Sequence, residues 1–190
     1  MSTYVNFLRL AAEDLEASDR VTVINSANLS TGIGLQVIQA AILSAEGKTR
    51  AQITAAIEEI RPRVRASFVV DTLTYLYRGG RCNAVAALAG GMLKLHPRIV
   101  VEDGAMDASK KYRGKLASVI LSYTKDMEEA LKNAVPDRVF ITHSGCDREI
   151  VESVRSYLES LGIFNEILET RAGGVEIGRA SCRERVSDLV

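Results

Sequence analysis

Apolar positions recur at helical spacing in the first third of the chain. Tyr4, Phe7, Leu8, Ala11 and Leu15 fall on one helical face. A short apolar run, Val21 to Ile24, reads as a strand. A second helix follows, with Val37, Ile38, Ala41, Ile42 and Ala45 as its buried face. Ser30 or Thr31 can cap that helix and Gly47 can stop it. Ile53, Ile57 and Ile60 mark a third helix, with Pro62 just past its end. Val64 to Val70 reads as a strand.

The pattern then changes. Two strand-like runs, Ile99 to Glu102 and Ala105 to Tyr112, flank Asp103-Gly104. Asp-Gly between such runs is a strong hairpin signal, because both turn positions need positive φ. A helix carries Leu116, Val119, Ile120, Tyr123, Met127, Ala130 and Leu131. Strand Val139 to Thr142, a helix through Ile150, Val151, Val154, Tyr157, Leu158 and Leu161, and strand Glu166 to Thr170 complete the order. The expected class is α/β: a partial open α/β sheet domain, then a second α/β domain with a mixed sheet and an antiparallel hairpin. The boundary falls near residues 62 to 71, giving domains at 1–65 and 66–175. Residues 176–190, EIGRASCRERVSDLV with Glu176 first, lack a clean period and read as a divergent tail foreign to the fold.

Composition narrows the function classes. The 190 residues carry 24 basic and 24 acidic side chains, so no net charge points to a nucleic-acid surface. No run of ~18 apolar residues suggests a membrane span. No signal peptide opens the chain. The 3 cysteines, Cys82, Cys146 and Cys182, lie far apart and suit neither a disulfide framework nor a zinc site. A reduced, cytoplasmic protein is the expectation.

Chemistry concentrates between Asp71 and Pro97. A capped helical turn ends on Gly79-Gly80, a lone Arg81 follows, and a small-residue apolar helix runs from Ala84 to Leu95. No charged side chain lies between Cys82 and Met92. A cation beside an apolar, glycine-loosened helix can hold an amphiphile with an acidic head. Arg81 alone also reads as a solvated arginine in a turn, and Leu88, Met92 and Leu95 as ordinary core packing. Lys110, Lys111, Arg113 and Lys115 form a basic cluster, either an anionic docking patch or a solvated hairpin rim. Ser30-Thr31-Gly32-Ile33-Gly34 reads as a tight turn into a helix, since Val37 stands where a dinucleotide fingerprint needs its third glycine.

Four ordered segments resemble the DegV family. They are VINSANLSTGIGLQVIQAA, DTLTYLYRGGR, IVVEDGAMDASKKYRGK and VFITHSGCD. That family comprises bacterial fatty-acid-binding proteins, some of which present a bound acyl chain to a fatty acid kinase. The resemblance covers about residues 2 to 175 and starts inside the family's first domain. It implies a long-chain fatty acid ligand, no cofactor, and a separate ATP-dependent fatty acid kinase as partner. It also implies roles for residues. MSTY resembles the end of the family's S-S-x-L-S-G-T-Y segment, which gives Ser2 or Thr3 the carboxylate-binding hydroxyl. The Arg of the GGR segment is Arg81 and the Arg of K-x-R-G-[KR] is Arg113; both are tied to the head group or the kinase step. Lys115 stands where many members have a second Arg. Leu88 and Met92 would line an acyl tunnel, where each buried CH₂ contributes about 0.8 kcal/mol. The family's upstream T-S-Q-P-S hydroxyl and its tail His have no counterpart here.

Two readings from other classes remain. His143, with Cys146 close in sequence, could serve a small hydrolase or phosphotransferase, although no G-x-S-x-G elbow or third orienting group accompanies them. The bland alternative is polar capping of a helix that starts near Asp147. A partner-binding α/β module is the third possibility.

Overall fold

The computed structural model describes residues 2–71, 95–171 and 186–189, with backbone alone for residues 2, 3 and 186–189. It divides into two compact units, residues 1–66 with 101–105, and residues 67–100 with 106–190.

The first unit is helical. α1 spans Ser2–Asp14, α2 Ser30–Ala45 and α3 Arg50–Ile60, followed by a 3₁₀ turn, Arg61–Arg63, that carries Pro62. Thr49 caps α3 through a full capping box: its hydroxyl accepts from the Gln52 backbone N–H while the Gln52 side chain accepts from Thr49 N–H. Gly47, at φ 79°, ends α2 as expected.

Three expectations for this unit fail. Val21 to Ile24 is not a strand; no described strand pairs with it, and a strand exists only through its ladder. Ser30 and Thr31 lie inside α2 rather than capping it; Leu29 is the N-cap, with no side-chain cap bond. The expected buried face of α2 is also not covered, since Val37 is 60% exposed and Gly32 and Gln36 are buried instead. The reason lies on the polar side of the helix. Asn28 donates from Nδ2 to the Val64 carbonyl at 2.9 Å, and Gln36 donates from Nε2 to the Ser26 carbonyl at 3.0 Å. These bonds turn that side inward.

The second unit is a sheet with helices on it. The strands are β1 (Ala66–Val70), β2 (Leu95–Glu102), β3 (Ala105–Arg113), β4 (Arg138–Ser144), β5 (Glu166–Arg171) and β6 (Val186–Leu189), in spatial order β3-β2-β1-β6-β4-β5. β4 and β5 run parallel, while β6 pairs antiparallel with both β1 and β4. The sheet is therefore mixed, as expected. Asp103 and Gly104 take φ of 49° and 78°, so the turn between β2 and β3 is the tight hairpin their dipeptide specifies. β6 is an element the sequence reading did not place: residues 186–189 of the tail run between β1 and β4.

The helices are α4 (Leu116–Asp126), α5 (Glu128–Lys132) and α6 (Arg148–Leu161). The expected single helix from Leu116 breaks at Met127 into α4 and α5. Gly162, at φ 62°, caps α6 in the left-handed region. Val69, Val139 and Ile141 from the strands pack with Val119, Ile120 and Tyr123 of α4 and Ile150, Val151, Val154 and Leu158 of α6. This gives one contiguous core over one sheet face. Strand alternation puts Phe68, Val70, Phe140 and Thr142 on the other face, and all four are buried as well. A sheet buried on both sides reads as continuous apolar runs, as FVV and VFI do here.

Candidate functional site

Arg113 is the last residue of β3 and is exposed. Gly114 follows at φ 135°, a backbone state glycine accepts readily, and Lys115 forms the N-cap of α4 without a side-chain cap bond. The basic cluster divides by strand alternation. Lys110 and Tyr112 share one side of β3, and both reach Asp126 at the end of α4. Lys110 Nζ sits 2.5 Å from Asp126 Oδ2, and the Tyr112 hydroxyl donates to the same oxygen at 2.7 Å. Lys110 also lies 5.3 Å from the Tyr112 ring centroid. Hydrogen bonds from Lys110 first, then Tyr112, hold the Asp126 carboxyl below its ordinary range. Burial first, then the bond to Asp126, pushes the Tyr112 phenol well above its usual value. Lys110 thus belongs to a structural pair. Lys111 and Arg113 alternate onto the opposite side of the strand.

His96 is buried near the start of β2. Its Nδ1 lies 3.0 Å from the Val70 carbonyl and its Nε2 lies 3.3 Å from the Gly114 carbonyl.

A second polar cluster gathers at the ends of β4 and β5. His143 Nε2 lies 3.3 Å from Glu169 Oε1. Arg148, the first residue of α6, donates from Nη1 to both Glu169 oxygens at 2.9 Å and pairs with Glu152 through Nη2. Arg155 Nη2 is 3.5 Å from Glu169 Oε2, and its Nη1 donates to the Ile167 carbonyl at 3.0 Å. Burial pushes the Glu169 carboxyl up, but the hydrogen bonds from His143 and Arg148 outweigh it and hold the group below its ordinary value. His143 Nδ1 is buried without a hydrogen-bond partner. Cys146 is partly buried and packs against the core. His143 and Cys146 are near one another in sequence, but neither ring nitrogen makes a nucleophile–base bond to the thiol. Asp147 stands at the N-cap of α6, yet its side chain makes no cap hydrogen bond.

The remaining candidates divide plainly. Ser2 and Thr3 open α1 in the first unit, where the backbone alone is described. Arg81, Leu88 and Met92 lie outside the described residues. Among the described residues no cluster of His, Cys, Asp and Glu could hold a metal ion, and no helix is long and apolar enough to cross a membrane. Sequence reasoning missed Glu169 as a hub and Asp126 as the partner of Lys110. The only early trace of either network is the Arg148–Glu152 spacing of four on one helix.

A mixed sheet covered by α4 to α6, with a glycine turn presenting Arg113, matches known proteins along nearly the whole chain. The model of the DegV family of uncharacterised proteins matches residues 1–177. The chain belongs to the DegV family. A DegV domain-containing protein of Deinococcus radiodurans is 33% identical over 189 residues, covering 100% of this chain and 56% of the relative. Another, from Caldanaerobacter subterraneus, is 35% identical over 117 residues, 60% of this chain and 42% of the relative. The chain thus spans about half the length of the curated DegV relatives it matches. A fatty-acid-binding DegV family protein from Thermus thermophilus superposes with TM-score 0.76 at 27% identity, over 97% of this chain and 65% of its own. One from Streptococcus agalactiae gives TM-score 0.80 at 19% identity, over 98% and 65%, which establishes the shared fold.

Proposed function

We propose that this DegV chain belongs to a non-catalytic carrier that binds a long-chain fatty acid and presents its carboxylate to a separate ATP-dependent fatty acid kinase. The observation that carries the reading is the likeness to the fatty-acid-binding Thermus protein, 27% identical along 97% of the chain. Apolar burial holds the tail and needs no cofactor. Leu88 and Met92 line the acyl slot, Ser2 or Thr3 meets the carboxylate, and Arg81 and Arg113 serve the head group or face the kinase. The placement of Arg113 supports its share: it is exposed at the end of β3 beside the Gly114 turn. Residues 1–65 act as the later part of the first domain and 66–175 as the second, whose sheet residues 186–189 of the 176–190 tail join as β6, and the protein works in the cytoplasm.

The hydrolase or phosphotransferase reading through His143 and Cys146 is the weaker one. A base that activates a thiol must hydrogen-bond to it, and here His143 Nε2 faces a carboxylate while Nδ1 has no partner. The distinguishing experiment combines the chain with oleate, ATP and a fatty acid kinase. Acyl-phosphate should form with wild-type and Cys146→Ser protein alike. Product without the kinase, abolished by Cys146→Ser, would replace the carrier reading with the enzymatic one.

A further inference from the structure

The two helical stripes that the sequence pattern marks for burial are both open to solvent. Along α1 the stripe is Phe7, Leu8 and Ala11, continued by Leu15, which is 75% exposed. On α2 it is Val37, Ala41 and Ile42. The 16 residues of α2 include no charged side chain. A mostly apolar, uncharged helix belongs inside a domain rather than on its surface. Yet α2 buries only Gly32 and Gln36 and leaves its stripe uncovered.

The layer missing beside these helices is a sheet. Residues 2–65 form three α-helices and a 3₁₀ turn, with no strand among them. In an α/β domain each helix buries its apolar stripe on a sheet face. The relatives hold more chain than this one matches. The stretch aligned here is 56% of the Deinococcus radiodurans protein and 65% of the Thermus thermophilus structure. A membrane surface suits the stripes poorly, because an interfacial helix carries Lys or Arg along its polar face and α2 has neither.

We propose that the exposed stripes of α1 and α2 are a docking surface for a β-sheet layer of the DegV first domain, contributed by chain that longer DegV proteins carry outside the matched stretch. The partner is recognised by the apolar face of its strands, and α2 offers it no charge to pair with. The proposal rests on family membership and holds whether or not the chain binds a fatty acid.

The test co-expresses the 190-residue chain with the stretch of the Deinococcus radiodurans relative that lies ahead of its matched region. Native mass spectrometry and amide hydrogen exchange are read. A one-to-one complex should form, in which the amides of α1 and α2 exchange at least about tenfold more slowly than in the chain alone. Phe7→Lys and Val37→Lys each put a charge where an apolar group is to be buried. Each should weaken the complex about tenfold or more, with the chain's own thermal midpoint nearly unchanged. Val135→Lys, at an exposed apolar position of the second unit, should leave the complex intact. No association with a folded chain, association that survives both lysine variants, or protection of the stripes in a homodimer of the chain alone would overturn the proposal. Where the separate stretch is insoluble, it is joined ahead of Met1 in one chain. Maleimide labelling of Phe7→Cys and Val37→Cys should then be at least about tenfold slower than in the unjoined chain; equal labelling in both overturns the proposal.

Discussion

Arg113 and Lys110 lie three positions apart on one strand, and their surroundings give them different tasks. Lys110 neutralises Asp126 and covers Tyr112, so its removal should act on stability. Arg113 is exposed at the strand end, so its removal should act on function. Arg113→Ala is expected to reduce acyl-phosphate formation more than oleate binding; equal losses in both would contradict that division. Glu169 supplies a second residue-level expectation. Its folded-state carboxyl is held below its ordinary value of 4.5. A depressed carboxyl contributes stability above its unfolded pKa and loses it as pH falls through the folded one. The fold should therefore weaken below about pH 4.5, and Glu169→Gln should flatten that acid limb in thermal melts taken across pH. The sequence showed Arg113 and His143 as polar residues next to turns. It did not show the partners of Lys110 and His143, since Asp126 and Glu169 are brought in from other elements by tertiary packing.

Elements whose pattern agrees with their packing were legible in advance. α6 shows this, with Ile150, Val151, Val154 and Leu158 buried at helical spacing and Gly162 ending it. The hairpin at Asp103-Gly104 shows it too. α2 was misread because its apolar stripe suggested the buried face, while Asn28 and Gln36 decided the matter by hydrogen bonding to backbone carbonyls. The same packing gives a sharp test. A Cβ at Gly32 would lie 2.0 Å from Asn28 Oδ1. That oxygen cannot yield easily, because it accepts from the Leu29 N–H at 3.0 Å while Nδ2 holds Val64. Gly32→Ala should destabilise the chain by about 1–3 kcal/mol, the usual cost of overpacking, measured by denaturant unfolding. A neutral result would mean that Asn28 is not fixed. β6 escaped the sequence reading because VSDL alternates too briefly to signal a strand; its place between β1 and β4 comes from the sheet.

At the scale of the molecule, the two units differ in how they treat apolar side chains. The second unit buries β1 and β4 on both faces. The first leaves Phe7 62%, Leu8 59% and Val37 60% exposed. Exposed apolar area of this kind promotes association. Phe7→Lys is expected to raise solubility at a thermal midpoint close to the parent's, as for exposed-site changes generally; a clear loss of stability would show that Phe7 is covered. The α/β class and the mixed sheet were readable from element order. The proposed acyl slot is not readable in that way, because a slot is a relation between elements, and apolar residues such as Leu88 and Met92 read equally well as core.

The central claim is that this chain holds a fatty acid, and native mass spectrometry of the purified chain after incubation with oleate tests it most directly. The account predicts one bound oleate per chain, retained through buffer exchange and displaced by a second long-chain acid. A chain that stays ligand-free while remaining folded would contradict it.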